Sequence, residues 1–213
     1  MNLINRIEVH VEKADALKLV AEEIAACQAC PLHQTRKNTV PGAGSATTDL
    51  MLIGEGPGYY ENEQGLPFVG ASGKFLTHLI EKAGFQRQDV FITNVVKCRP
   101  PDNRDPQVNE LESCEAYLKR QIEIINPEVI VTLGRFSMAK YFSNVRISNV
   151  HGKAGWVEDR LIVPMYHPAA ALHNPRLRPV VEADFAKLPA LIEYSRRKKA
   201  EKEARSESEH NGP

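Results

Sequence analysis

The sequence predicts an α/β fold, with a parallel sheet covered by helices on both faces. Two observations carry this. Apolar runs at Leu50–Ile53, Val90–Val96, Glu128–Leu133 and Leu161–Met165 alternate with stretches of helical periodicity, the order that builds strand–helix–strand units. Polar motifs rich in Gly and Pro follow three of those runs, at Gly54 to Glu61, Asn94 to Arg104 and His167 to Arg178. The carboxyl ends of parallel strands share one edge, so motifs far apart in sequence are expected to meet in one cleft.

Taken in order, residues 1 to 13 read as a polar lead-in. Asp15–Ala26 carries Leu17, Val20, Ala21 and Ile24 at helical spacing and ends at Cys27-Gln28-Ala29-Cys30-Pro31. Thr39–Thr48 is a loop by its Gly, Pro, Ser and Thr content. After the first strand comes Gly54-Glu55-Gly56-Pro57-Gly58, where glycine permits close approach of backbone to a ligand. No Gly-Lys-Ser/Thr follows and the dinucleotide fingerprint is incomplete, so neither nucleotide-binding loop is indicated. Ser72–Ala83 is a helix with Phe75, Leu76, Leu79 and Ile80 on one face and Gly84 as its stop. Asp105 and Pro106 are expected to open a helix running to Ile125 and carrying Cys114. A short helix after Gly134, a hairpin around Gly155 and Glu158-Asp159, and a long helix from Pro179 to Ala204 complete the chain. Residues 1–195 are expected to form one domain. Residues 196–213 read as a charged tail, disordered toward its end.

The 213 residues are 42% hydrophobic and 25% charged, with zero formal net charge. This is ordinary soluble composition, without the global basic excess of many nucleic-acid binders, although a local patch suffices. No apolar run approaches a membrane span and Met1 to His10 has no apolar signal core, so a cytoplasmic location is expected.

In a reducing compartment the four cysteines, Cys27, Cys30, Cys98 and Cys114, are better metal ligands than disulfide partners. Four thiolates from three segments suit zinc or a four-iron cluster equally, in a closed structural site. Lys97, Arg99, Arg104, Arg135, Arg146, Arg176 and Arg178 lie near strand ends, where cations would meet phosphates. Glu55 and Phe68 offer a carboxylate and an aromatic to a flat polar ring. Asn94 can present a donor and an acceptor to one ring edge. A neutral imidazole at His167 can donate to a developing anion.

Together these residues resemble the family 4 uracil-DNA glycosylases, the iron–sulfur branch of that superfamily. The resemblance rests on Gly54-Glu55-Gly56-Pro57-Gly58 with Glu61, Gly65-x-Pro67-Phe68-Val69-Gly70 with Gly73, and Asn94-x-x-Lys97-Cys98-Arg99-Pro100-Pro101-x-Asn103-Arg104. His167-Pro168-Ala169 and the cysteine order complete it, and it covers about residues 14 to 190. It implies a three-layer α/β/α sandwich with a central four-stranded parallel sheet and a [4Fe-4S] cluster on the four cysteines. The implied activity is hydrolysis of the N-glycosidic bond of deoxyuridine in double- or single-stranded DNA, by a monomer. Phe68 would stack on the flipped uracil, Asn94 would read its polar edge, and His167 would hold O2. Glu55 would serve the attacking water. Gly56 would line the substrate site, and Glu61 would crowd the C5 methyl of thymine. Arg99, Asn103, Arg104 and Arg176 would contact DNA, with Leu172 or His173 as the residue wedged into the gap.

Two other readings compete. A non-catalytic DNA-binding module would have lost Glu55, Asn94 or His167, and all three are present. An electron-transfer protein would space its cysteines more closely and would need neither the glycine loop nor His167-Pro168.

Overall fold

The strands of this chain are apolar on both sides, and the structure shows why. In a computed structural model describing residues 3–210, alternate residues of each central strand enter two separate cores. The helices are α1 (Leu3–Ala26), α2 (Tyr59–Gln64), α3 (Ala71–Lys82), α4 (Val108–Ile125), α5 (Arg135–Ala139), α6 (Ile147–Val150), α7 (Pro168–His173), α8 (Arg178–Phe185) and α9 (Leu188–His210). The strands are β1 (Ala43–Gly44), β2 (Leu50–Gly54), β3 (Phe91–Asn94), β4 (Val129–Leu133), β5 (Gly155–Val157) and β6 (Arg160–Met165). Leu50, Leu52, Val129, Val131 and Val163 face α3, α8 and the start of α9. Met51, Ile53, Ile130 and Ile162 face α4 and Leu17 of α1. Two buried faces require a near-continuous apolar strand, which the sequence has. On α3, burial of Phe75, Leu76, Leu79 and Ile80 stabilises the layer by about 2 kcal/mol per side chain.

The sheet order is β1-β3-β2-β4-β6-β5, so it has six strands rather than the expected four. The four central strands are parallel, as predicted, and an antiparallel strand borders each edge. β1 gave no sequence signal because two residues cannot show a periodicity. Its Gly44 sits at φ +128°, where an added Cβ would fall 1.8 Å from the Val90 carbonyl oxygen. The chain runs from β2 to β3 on one side and then to β4 on the other. That reversal is the point where open α/β sheets leave a crevice outside the strand carboxyl ends.

Several boundaries differ from expectation. α1 begins at Leu3, so the polar lead-in is helical from there. α4 begins at Val108 rather than Pro106, because Gln107 closes a capping box with Glu110. The predicted long C-terminal helix is two helices, α8 and α9. The charged stretch from 196, expected to be disordered toward its end, continues α9 to His210, and residues 211–213 lie outside the described part. Among the described residues no helix is long and apolar enough to cross a membrane.

Candidate active site

The motifs after β2, β3 and β6 do meet. A cleft of about 420 Å³ is lined by Glu55, Gly56, Gly58, Glu61, Phe68, Ser72, Asn94, Asn103, His167, Ala169 and His173. Gly54 and Asn94 are register partners in the β2–β3 ladder, which continues past the strands as Val95 N–H and Val96 N–H donate to the Gly54 and Glu55 carbonyls. A Cβ on Gly54 would come within 2.4 Å of Asn94 Oδ1 and 2.6 Å of the Phe68 ring, so only glycine lets both reach the cleft floor.

Asn94 is 1% exposed, and its Oδ1 has no hydrogen-bond partner among the described residues. Leaving such an acceptor bare costs about 1–3 kcal/mol, which a ligand donor would recover. The Asn94 main chain is fixed from behind. Lys97 is fully buried, and its Nζ donates to the Asn94 carbonyl at 2.9 Å, to Thr93 Oγ1 at 2.7 Å and to Gln121 Oε1 at 2.7 Å. Burial pushes the Lys97 amine down to about 7. Lys97 is therefore a brace inside the protein, not the surface cation its sequence position suggests.

His167 caps α7. The Ala169 N–H donates to His167 Nδ1 at 3.2 Å, so in the neutral ring the proton resides on Nε2. Burial lowers its pKa to about 4, opposed in part by the Glu61 carboxylate, so the ring is neutral at physiological pH. The site thus holds a neutral N–H donor beside the bare Asn94 acceptor. Burial raises the Glu55 carboxyl above its ordinary value, Asp105 adds to the rise, and Arg135 opposes it.

Phe68 stacks near His167, with ring centroids 5.5 Å apart and planes 28° apart. It holds φ +51°, a conformation that aromatic residues rarely adopt, so its surroundings must impose it. Three residues do so. Arg87 Nη2 donates to the Pro67 and Phe68 carbonyls at 2.6 and 3.0 Å, and Nη1 donates to Thr77 Oγ1 at 2.8 Å. Glu61 Oε1 accepts from Val69 N–H and Gly70 N–H at 2.9 and 3.0 Å. Gly73 lies against the Phe68 carbonyl, where a Cβ would approach to 1.9 Å. Glu61 lines the cleft as expected, but its carboxylate is engaged in holding the Phe68 loop. Sequence reasoning missed Arg87, a charged residue in a turn with no motif around it.

Of the other expected contacts, Asn103 reaches the cleft. Arg99 lies beside it and donates from Nε to Asn103 Oδ1 at 2.8 Å. Arg104 does not reach it; its guanidinium forms two bonds to the fully buried Glu110 carboxylate, at 2.9 and 2.6 Å. Leu172 is 39% exposed next to His173 of the lining, and Arg176 is exposed in the turn after α7.

The four cysteines line a second, small cavity, together with Arg36, Lys97 and Tyr117. Burial raises the Cys98 thiol, and raises Cys114 to about 11. Arg36 Nη1 donates to Cys98 Sγ at 3.4 Å and the Ala29 N–H to Cys27 Sγ at 3.5 Å, bonds suited to thiolates. Among the described residues no three His, Cys, Asp or Glu side chains are grouped as a single ion requires. Four sulfurs thus face one cavity from the segment after α1, the Cys98 loop and α4, a soft thiol donor set.

Residues 41–188 match the family model of the uracil DNA glycosylase superfamily. A type-4 uracil-DNA glycosylase of Saccharolobus solfataricus is 50% identical over 184 residues, covering 82% of this chain and 85% of that protein. One from Sulfurisphaera tokodaii is 49% identical over 187 residues, covering 83% and 85%. One from Archaeoglobus fulgidus is 45% identical over 198 residues, covering 84% and 99%. On the matched model, the identities and the coverage, the chain belongs to the uracil-DNA glycosylase superfamily, with type-4 enzymes among its near relatives.

Proposed function

We propose that the cleft flips uracil out of DNA and hydrolyses its N-glycosidic bond, leaving an abasic site. The observation that carries this reading is the buried Asn94 Oδ1, without a partner among the described residues, beside a neutral, Nε2-protonated His167. Uracil has an N3–H for the first and an O2 for the second. Cytosine presents an acceptor at N3, so the fixed Asn94 amide discriminates against it.

The base is unreachable in a stacked duplex, and extrusion costs a few kcal/mol, less for a mispaired uracil. Stacked on Phe68, the flipped ring sits with its polar edge toward Asn94. The C1′–N1 bond breaks, its electron pair stays on the base, and negative charge spreads to O2. His167 Nε2–H meets that charge where it develops, stabilising the transition state more than the ground state. Glu55 orients a water and stabilises the cationic sugar. As the water oxygen bonds to C1′, Glu55 accepts its proton, and the uracil anion is protonated from solvent. Burial raises the Glu55 pKa, which makes its carboxylate a better base.

Arg99, Asn103 and Arg176 face phosphates in this reading, and Leu172 fills the gap left by the base. Arg104 supports the DNA-facing loop through Glu110 rather than touching DNA. Cys27, Cys30, Cys98 and Cys114 would hold a [4Fe-4S] cluster, which ties the Cys98 loop to α1 and α4 and supplies no step of the hydrolysis. Because one chain provides the whole cleft, the working unit is taken as a monomer. Uracil-containing DNA, double or single stranded, is its partner, and the cytoplasm its location. Residues 1–195 are taken as the catalytic unit and 196–213 as an appendage.

The test is a duplex bearing one uracil, with thymine and cytosine controls, scored for strand cleavage after abasic-site treatment. Release of uracil alone is expected. Tight binding without release would turn the reading to a sensor. Iron and sulfide analysis of anaerobically purified protein tests the cluster, with four of each expected per chain.

A further inference from the structure

The rim of the cleft carries aromatics that the uracil-reading role leaves unused. Tyr59 and Tyr60 open α2 directly after Gly58 of the lining, and they are 53% and 59% exposed. Their rings meet edge to face, with centroids 5.4 Å apart. The Arg99 guanidinium lies over the Tyr59 ring, 5.4 Å from its centroid. Through Nε it is also tied to Asn103, which lines the cleft. Among the described residues no carboxylate pairs with Arg99, whereas nearby Arg104 pairs with Glu110 and Arg135 with Asp105. The result is an exposed ring beside the cleft lining, held by Tyr60 and by a cation that has no carboxylate partner among the described residues.

We propose that Tyr59, backed by Arg99 and braced by Tyr60, is a stacking subsite for the nucleobase next to the uracil on the same DNA strand. The proposal rests on the glycosylase reading of the cleft. Flipping a base removes the stacking partner of its neighbour, and an aromatic face at the cleft mouth replaces what is lost. Stacking takes any base, because every base has a π face. The guanidinium behind the ring adds a cation–π contact and leaves donors for the adjoining phosphate. Such a subsite holds single-stranded DNA, where no complementary strand positions the substrate.

The test uses the full chain and two single-stranded oligonucleotides. Each carries a tetrahydrofuran abasic analogue with 2-aminopurine on its 5′ or its 3′ side. The wild type is expected to quench the fluorescence of one of the two. Tyr59→Ala should lose that quenching and bind about 5- to 150-fold more weakly. Tyr59→Phe should retain both, and melting temperatures should stay together because the ring is exposed. Equal quenching and affinity in Tyr59→Ala and wild type would overturn the subsite and leave the aromatic pair to a protein partner. Uracil release by the same preparations separates the two claims. Release with unchanged Tyr59→Ala binding sinks only the subsite. Quenching lost in Tyr59→Ala, with no release by the wild type, sinks only the glycosylase reading.

Discussion

The two ends of the sheet treat polar side chains in opposite ways. At the amino ends of three strands the acid immediately before the strand is matched. Asp49 before β2 accepts from Arg196, Glu128 before β4 takes Ser195 and Lys199, and Asp159 before β6 meets Lys202. At the carboxyl ends, among the described residues, Asn94 Oδ1 is bare and His167 Nε2–H makes no hydrogen bond within the protein. Burying an unmatched polar atom costs about 1–3 kcal/mol, so the unmatched end is where a ligand is expected to supply the partner. The matched end stabilises the fold a little and needs no ligand.

Breaking the comparison at its sharpest point means removing the donor aimed at the ligand. His167→Ala should lower the single-turnover rate about 10²- to 10³-fold, the loss seen when one donor to a developing oxyanion is removed. Its melting temperature should stay close to wild type, because the imidazole only caps a short helix. Lys97→Met tests the brace behind Asn94. Three acceptors would lose their donor, and we expect stability to fall by roughly 3 kcal/mol in denaturant titration, with uracil release reduced. Arg87→Met frees the Pro67 and Phe68 carbonyls, so Phe68 should relax from φ +51°. About a tenfold loss in kcat/KM is expected from a misplaced stacking ring, while a change in stability alone would reduce Arg87 to a purely structural role.

The pH profile sharpens the comparison without a large effect. In the proposed mechanism Glu55 works ionised, and its pKa is raised, so activity should fall as pH drops through that raised value. His167 stays neutral until about pH 4, so its protonation contributes only near there. Glu55→Gln should lower the plateau and erase the acid limb; an unmoved limb would assign it to another group. His167 also has a folded pKa below its unfolded one. The unfolded chain therefore binds more protons between about pH 6.5 and 4, and stability should decline as pH falls through that window. The smallest effect belongs to the matched end. Arg196→Ala and Lys202→Ala should each leave the denaturation midpoint almost unmoved and uracil release unchanged, as exposed ion pairs do.

The parallel strands were legible because burial on both faces writes an unbroken apolar run, as at Leu50–Ile53 and Glu128–Leu133. The cleft was legible because Glu55, Asn94 and His167 each follow such a run. What escaped was set by tertiary contact. β1 is too short to show a pattern, and α2 and α7 are six residues each and hidden among glycines and prolines. Arg87 and Lys97 are charged residues whose partners are carbonyls distant in sequence or buried side chains. Nothing local separates them from Arg99, which lies half-buried beside the cleft and binds Asn103. The ion pair of Arg104 escaped for the same reason, since Glu110 lies in the next helix and takes its guanidinium.

The most direct test compares wild type and His167→Ala on one duplex with a single uracil opposite guanine, under single-turnover conditions, with melting temperatures measured alongside. Rapid uracil release by the wild type, falling 10²-fold or more in a variant that melts as the wild type does, is the predicted result. Release that is absent in the wild type, or unchanged in His167→Ala, would contradict the assignment of the cleft.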